Sequence, residues 1–450
     1  MSGPSPASTR LAAVLSLLLP GPAGAQRTDS VALEPGALHQ RLSSPTDSTQ
    51  RYALYLPTRY RTEARWPVLV VMDPRGRAMI PLERVKPVAE RLGYVIISSY
   101  NTMSDTTEQP NVDALNVMLT DLQRFVSIDP HRLYLIGFSG TARLSWDFAA
   151  QLKGNVAGVV GVGAGLPDQA HPPLPGPGEE ASFVFFGGAG TGDFNYDEVR
   201  GLDRYLDSFS FPHRMRYYGG PHGWPPSEVF TEAVEWLELM AIRRSLTPPK
   251  PEWVDSVFRR RLEEAASLES GGNLFAAGQS YAEIAADFQT FRDVSIAQGK
   301  ARELRRSKEA RGVAKALEKA GDDHTQYVGS LRRFLSRVRE SREPPSLSSA
   351  LAELDIKTLQ KRAADRSDTI AAQGAGRQLE DVFVVSSFYE PRAYLAEGDG
   401  RRALVMLDLA EAIHPGLPQV CESRRQALRL ADHARDADSL ECPSRQAPSQ

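Results

Sequence analysis

The chain has 450 residues, of which 41% are hydrophobic and 24% charged, and its formal net charge is −3. That is the balance of an ordinary globular protein of two or three domains, and it lacks the basic excess of a nucleic-acid-binding surface. No Cys/His cluster has zinc spacing, so no structural metal is expected.

The N-terminus reads as a secretory signal over residues 1–25. Arg10 supplies the positive charge, Leu11–Leu19 the apolar core, Pro20 its end, and Ala23-Gly24-Ala25 the cleavage site. The apolar core is too short to span a bilayer, and no second run of spanning length follows. No cysteine near the cleavage site offers a lipoprotein anchor. The expectation is an exported, soluble protein, periplasmic or extracellular.

The next elements alternate. Ala37–Leu42 reads as an edge strand and Tyr52–Leu56 as a strand ended by Pro57. Pro67–Met72 is a continuous apolar run, as in a parallel strand buried on both faces. Pro81–Leu92 is helical, Tyr94–Ser98 a strand, Asp113–Phe125 a helix, and Arg132–Phe138 a strand. Val156–Val162 and Ser182–Phe186 are further buried strands, Tyr196–Leu206 a helix, Arg214–Tyr218 a strand and Glu228–Ile242 a helix. This pattern predicts an α/β domain over residues 30–245, a mostly parallel sheet with helices on both faces. The Pro/Gly-rich stretch Leu166–Gly178 is too short for a helical lid, which predicts an open cleft suited to a bulky or polymer-attached substrate.

Pro248-Pro249-Lys250-Pro251 marks a linker, residues 246–252, and beyond it the period is helical throughout, giving an all-α domain over residues 253–440. Tyr281–Phe288 reads as one helix of a pair. Tyr394, Gly398, Ala403, Leu407, Ala410 and Pro415 fall at positions that resemble a tetratricopeptide repeat, with Arg392 departing where a small residue is usual. The alternative is a generic helical bundle. A repeat-like domain would either recruit a protein partner or only pack on the α/β domain. Export would place Cys421 and Cys442 where a pair of this spacing can bridge; two buried thiols are the alternative.

Gly137-Phe138-Ser139-Gly140-Thr141 closes the Arg132–Phe138 strand and opens a helix-compatible segment. Gly-x-Ser-x-small in that context is a nucleophile elbow, a sharp turn that pushes the serine Oγ off the sheet edge. Thr141 stands where glycine is usual. A serine hydroxyl needs an adjacent base, oriented by a third group. Of the eight histidines only His222 follows a strand end, in Gly219-Gly220-Pro221-His222-Gly223-Trp224.

The elbow, the preceding Ile128-Asp129-Pro130-His131-Arg132 and the Gly-x-His-x-Trp after the last strand resemble secreted esterases of the α/β-hydrolase superfamily. These are of the polyhydroxybutyrate-depolymerase and feruloyl-esterase type, related to dienelactone hydrolases. The resemblance implies Ser139 as nucleophile, His222 as base, and Trp224 as an aromatic wall of the substrate site. The acid comes between serine and histidine in chain order, which points to Asp193, after a strand and a Gly-rich loop, over Asp197, which suits a helix start. The oxyanion hole would use the amide of Gly140 and one from the loop after Pro67–Met72. There relatives carry His-Gly at Asp73-Pro74, and proline has no N–H, so Arg75 is the expected donor and Gly76 the second choice; the alternative is that Asp73 and Arg75 only shape the loop. Asn101 is placed facing the cleft.

The reading is a serine hydrolase of carboxylic esters acting through an acyl-enzyme without a cofactor, on a small-molecule or polymer-attached ester. The alternatives are a serine peptidase resembling the prolyl-oligopeptidase catalytic domain, and a catalytically inactive hydrolase-fold binding protein.

Overall fold

The structure, a computed structural model, describes residues 33–166, 174 and 179–443. Residues 1–25, which read as a signal segment, and nearly all of the 166–178 stretch lie outside the described residues. The chain forms two compact units, Met1–Leu304 and Arg305–Gln450.

The first unit is built on eight strands: β1 (Leu38–Ser43), β2 (Arg51–Tyr55), β3 (Trp66–Met72), β4 (Val95–Ser99), β5 (Ile128–Phe138), β6 (Val156–Val162), β7 (Val184–Gly190) and β8 (His213–Tyr218). They lie in the order β1-β2-β4-β3-β5-β6-β7-β8. From β3 to β8 all pairings are parallel, and β2 alone runs against its neighbours. This is a mostly parallel α/β sheet.

The helices between them are α1 (Met79–Leu92), α2 (Gln109–Phe125), α3 (Gly140–Gln151), α4 (Tyr196–Ser208) and α5 (Ser227–Arg243). Alternate residues of each central strand enter different cores. Leu69, Val71, Tyr134 and Ile136 pack with α1 and α5, whereas Val68, Val70, Leu133 and Leu135 pack with α2, α3 and α4. Both faces are covered, which is why these strands read as unbroken apolar runs.

The first unit does not stop at the Pro-rich stretch. Three more helices, α6 (Pro251–Ser270), α7 (Leu274–Phe288) and α8 (Ser295–Arg305), add Val254, Val257, Ile284 and Phe288 to the core that holds α5. Buried Arg214 of β8 pairs with Glu283 and Asp287 of α7, and Trp236 of α5 donates to Asp287 at 3.1 Å. Pro251 opens α6, where a missing N–H is no loss, and Lys250 pairs with Glu238 at 2.6 Å. The prolines that read as a linker form a tight, anchored corner.

The second unit is helical: α9 (Lys308–Glu340), α10 (Leu347–Glu353), α11 (Ile356–Ala363), α12 (Thr369–Val384), a π-helical turn (Val385–Tyr389), α13 (Glu390–Ala396), α14 (Gly400–Ile413), α15 (Pro418–Leu430) and α16 (Ala434–Ser439). Tyr394, Ala403, Leu407 and Ala410 are buried in its core. Arg392 points outward, its guanidinium 5.8 Å from the Phe388 ring centre, so its bulk does not separate α13 from α14. The chain breaks between α15 and α16 with Asp432 at φ 65°, and the return brings Cys442 to Cys421 in a disulfide with a Cα–Cα distance of 5.5 Å. Among the described residues no helix is long and apolar enough to cross a membrane.

Candidate active site

Ser139 sits between the last residue of β5 and the first of α3, with φ 54° and ψ −129°. A non-glycine residue there is strained, and the surroundings must hold it. Its amide donates to Val162 O at 2.9 Å. The turn is crowded on both sides: a Cβ on Gly137 would lie 2.3 Å from Thr141 O, and one on Gly140 would lie 2.5 Å from Ser104 Cβ. Position 141 is different. The Thr141 side chain is buried, its Oγ1 lies 2.6 Å from Met72 O and 2.8 Å from Phe138 O, and it accepts from Phe138 N at 3.1 Å. It ties the elbow to the end of β3, which explains why threonine serves where glycine is usual.

His222 lies in the loop after β8, which turns at Gly220, φ 139°. Its Nε2 is 3.0 Å from Ser139 Oγ, and its Nδ1 is 2.9 Å from both carboxylate oxygens of Asp193. The imidazole is flanked by Phe138 and Phe194, with ring centres 4.5 and 4.3 Å away. Asp193 follows β7 and is fully buried, and it also accepts from Asn195 N at 2.8 Å. Asp197 lies in the first turn of α4, where its charge faces the helix dipole. The structure thus brings Ser139, His222 and Asp193 together from three strand ends and leaves Asp197 outside that relay. With Nδ1–H donated to Asp193, the Nε2 lone pair faces the serine hydroxyl, the tautomer required of a general base.

The remaining predicted residues are placed less simply. The Gly140 amide is in the first turn of α3 and has no intrahelical acceptor. The Arg75 amide, expected as the second oxyanion donor, donates instead to Asp73 Oδ1 at 2.7 Å. The Gly76 amide donates to Asp73 O at 3.2 Å, and the Arg77 amide to Asp73 Oδ1 at 3.0 Å. The amides of Arg75 and Arg77 turn inward because the Asp73 carboxylate captures them, and that of Gly76 because the Asp73 carbonyl does. Trp224 is buried: its Nε1 donates to Asp73 Oδ2 at 2.7 Å and its ring packs 5.3 Å from Phe138, so it is a core contact and not an exposed wall. Asn101 does not face the cleft. Its Oδ1 accepts from Arg51 N at 2.8 Å and its Nδ2 donates to Thr49 O at 3.2 Å, which fastens the β1–β2 loop at the sheet edge. Asp73 and Arg75 thus shape the loop, the alternative that the sequence left open.

Burial works to raise the Asp73 carboxyl, but hydrogen bonds from Arg77 and Trp224 outweigh it and hold the group below the usual carboxylate range. Burial, with Asp193 nearby, raises the Tyr218 phenol. One group among the described residues has ligand atoms within 4.8 Å of one another, Asp203, Asp207 and His213. His213 Nδ1 lies 2.7 Å from Phe211 O and Nε2 3.1 Å from Asp203. Burial disfavours its charge, but these partners prevail and raise its pKa, so the group is accounted for as an ion pair.

No protein-family model matches this chain, and no curated protein does. Among solved structures, the fluorophosphonate-binding serine hydrolase FphF of Staphylococcus aureus aligns at 14% identity over 45% of this chain and 98% of its own, with a TM-score of 0.37. The S-formylglutathione hydrolase FrmB of the same organism aligns at 15% identity over 46% and 99%, with a TM-score of 0.36. The Bacillus cereus carboxylesterase aligns at 16% identity over 43% and 95%, with a TM-score of 0.34.

Proposed function

We propose that this protein is an exported serine hydrolase that cleaves carboxylic esters through an acyl-enzyme. The observation that carries the proposal is the relay from Ser139 Oγ through His222 to a fully buried Asp193. Ser139 Oγ attacks the ester carbonyl carbon as His222 Nε2 takes its proton. Asp193 keeps the other ring nitrogen protonated and stabilises the imidazolium. Negative charge develops on the carbonyl oxygen beside the first-turn amide of Gly140. The tetrahedral intermediate collapses, His222 protonates the leaving alcohol, and the acyl group stays on Ser139. Water, activated by His222, then releases the acid. Export rests on the N-terminal segment, and the preference for esters over peptides on the resemblance of the elbow and histidine motifs.

The test is turnover of short p-nitrophenyl esters by the mature chain. Ser139→Ala is expected to keep the melting behaviour of the wild type and to lose activity by about a millionfold, the loss seen when such a unit is broken. Wild-type turnover in that variant would contradict the assignment.

A further inference from the structure

The Asp73 side chain is fully buried, yet it is met by five donor groups from two loops. Oδ1 takes the amides of Arg75 at 2.7 Å and Arg77 at 3.0 Å, and Arg77 Nε at 3.1 Å. Oδ2 takes Arg77 Nη2 at 3.0 Å and Trp224 Nε1 at 2.7 Å. The first loop follows β3 and borders the elbow, because Thr141 is bonded to Met72 O. The second carries His222, two residues before Trp224. Phe138 fills the space between them, in ring contact with both His222 and Trp224. A buried carboxylate keeps its charge only when its oxygens are fully engaged, and the cheapest way to break this knot is to remove one donor.

We propose that Asp73 is the positioning residue of this site, a carboxylate that locks the loop after β3 to the loop bearing His222 through the Trp224 indole. This rests on the hydrolase reading above. Trp224 then acts through Asp73 and touches no substrate. Its own backbone is held separately, since Arg84 of α1 donates to Pro225 O at 3.0 Å and also to Trp224 O. Removing the indole N–H therefore frees the side-chain link while the loop stays anchored. Small displacements of this kind act on the chemical step, because the reacting groups must be held within a fraction of an ångström.

The test compares Trp224→Phe, Asp73→Asn and the double variant, with kcat on p-nitrophenyl acetate expressed per serine titrated by a fluorophosphonate, so that unfolded molecules do not count. Trp224→Phe keeps an aromatic ring and loses only the donor. Asp73→Asn keeps an acceptor for the amides but opposes an NH₂ to the indole N–H. Each is expected to lower kcat roughly 10- to 100-fold with KM unchanged, and the double variant to be no slower than Asp73→Asn alone. Wild-type kcat in Trp224→Phe, losses that multiply in the double variant, or a rise in KM at constant kcat would overturn the proposal; the last would mark Trp224 as a substrate wall. Wild-type protein that neither labels nor turns over would overturn the hydrolase reading and this proposal with it.

Discussion

Asp193 and Asp197 differ in what surrounds them. Asp193 is fully buried at the end of β7 and meets His222 Nδ1, while Asp197 sits in the first turn of α4. Asp193→Asn would present an NH₂ to the imidazole and favour the wrong tautomer, a change that costs on the order of ten-thousandfold in a comparable triad. Asp197→Asn removes one helix-start charge and should leave kcat/KM close to wild type. Kinetics of the two variants side by side decide the acid, and a reversed ranking would move it to Asp197. The grouping of Ser139, Asp193 and His222 is legible in the sequence because each lies within four residues of a strand end, so chain order and strand order together limit the choice. Arg75, Asn101 and Trp224 were not legible to the same degree. Each is committed by a hydrogen bond whose partner only the fold supplies: Asp73 for Arg75 and Trp224, the 49–51 segment for Asn101. Thr141 reads as a defect of the motif, yet its hydroxyl is the bond between elbow and β3.

Elements buried on both faces were read almost to the residue, β6 over Val156–Val162 being the clearest, since an unbroken apolar run has one interpretation in an α/β pattern. β7 shows where that fails. Its second half, Gly187–Gly190, reads as a loop by composition but pairs in register with Met215–Tyr218 of β8. Position 250 fails similarly, because prolines signal a corner without saying whether the next helix departs or folds back. Here it folds back, and Arg214 of β8 is caught between Glu283 and Asp287. The strand that delivers His222 is therefore braced from α7. Arg214→Met would remove one arginine from a cluster in which Arg261 still pairs with Glu283 and Asp287 and Arg216 with Glu283, so the loss should fall below the about 3–5 kcal/mol of a fully broken buried pair. Denaturant unfolding should show that loss, accompanied by reduced activity per folded molecule. Unchanged stability would mean that the extension adds nothing to the brace.

For the whole molecule, pH is an accessible variable. Asp147 of α3 has its carboxyl pushed up to about 6, by burial first and then by the charge of Glu108. A carboxyl with a raised folded pKa binds its proton more tightly folded than unfolded. Its contribution to stability therefore declines as pH rises from the ordinary value of 3.8 through about 6 and is constant above that. Asp147→Asn is expected to raise the melting temperature by an increment that is small near pH 4, grows to about pH 7 and then levels off. An increment independent of pH would contradict this origin. Ser139 carries the proposed chemistry and can be trapped covalently. Wild-type protein and Ser139→Ala are treated with a fluorophosphonate, and the adduct is located by peptide mass mapping. The account predicts a single adduct on Ser139 in the wild type, with none in the variant. No adduct on the wild type, or one on another residue, would contradict it.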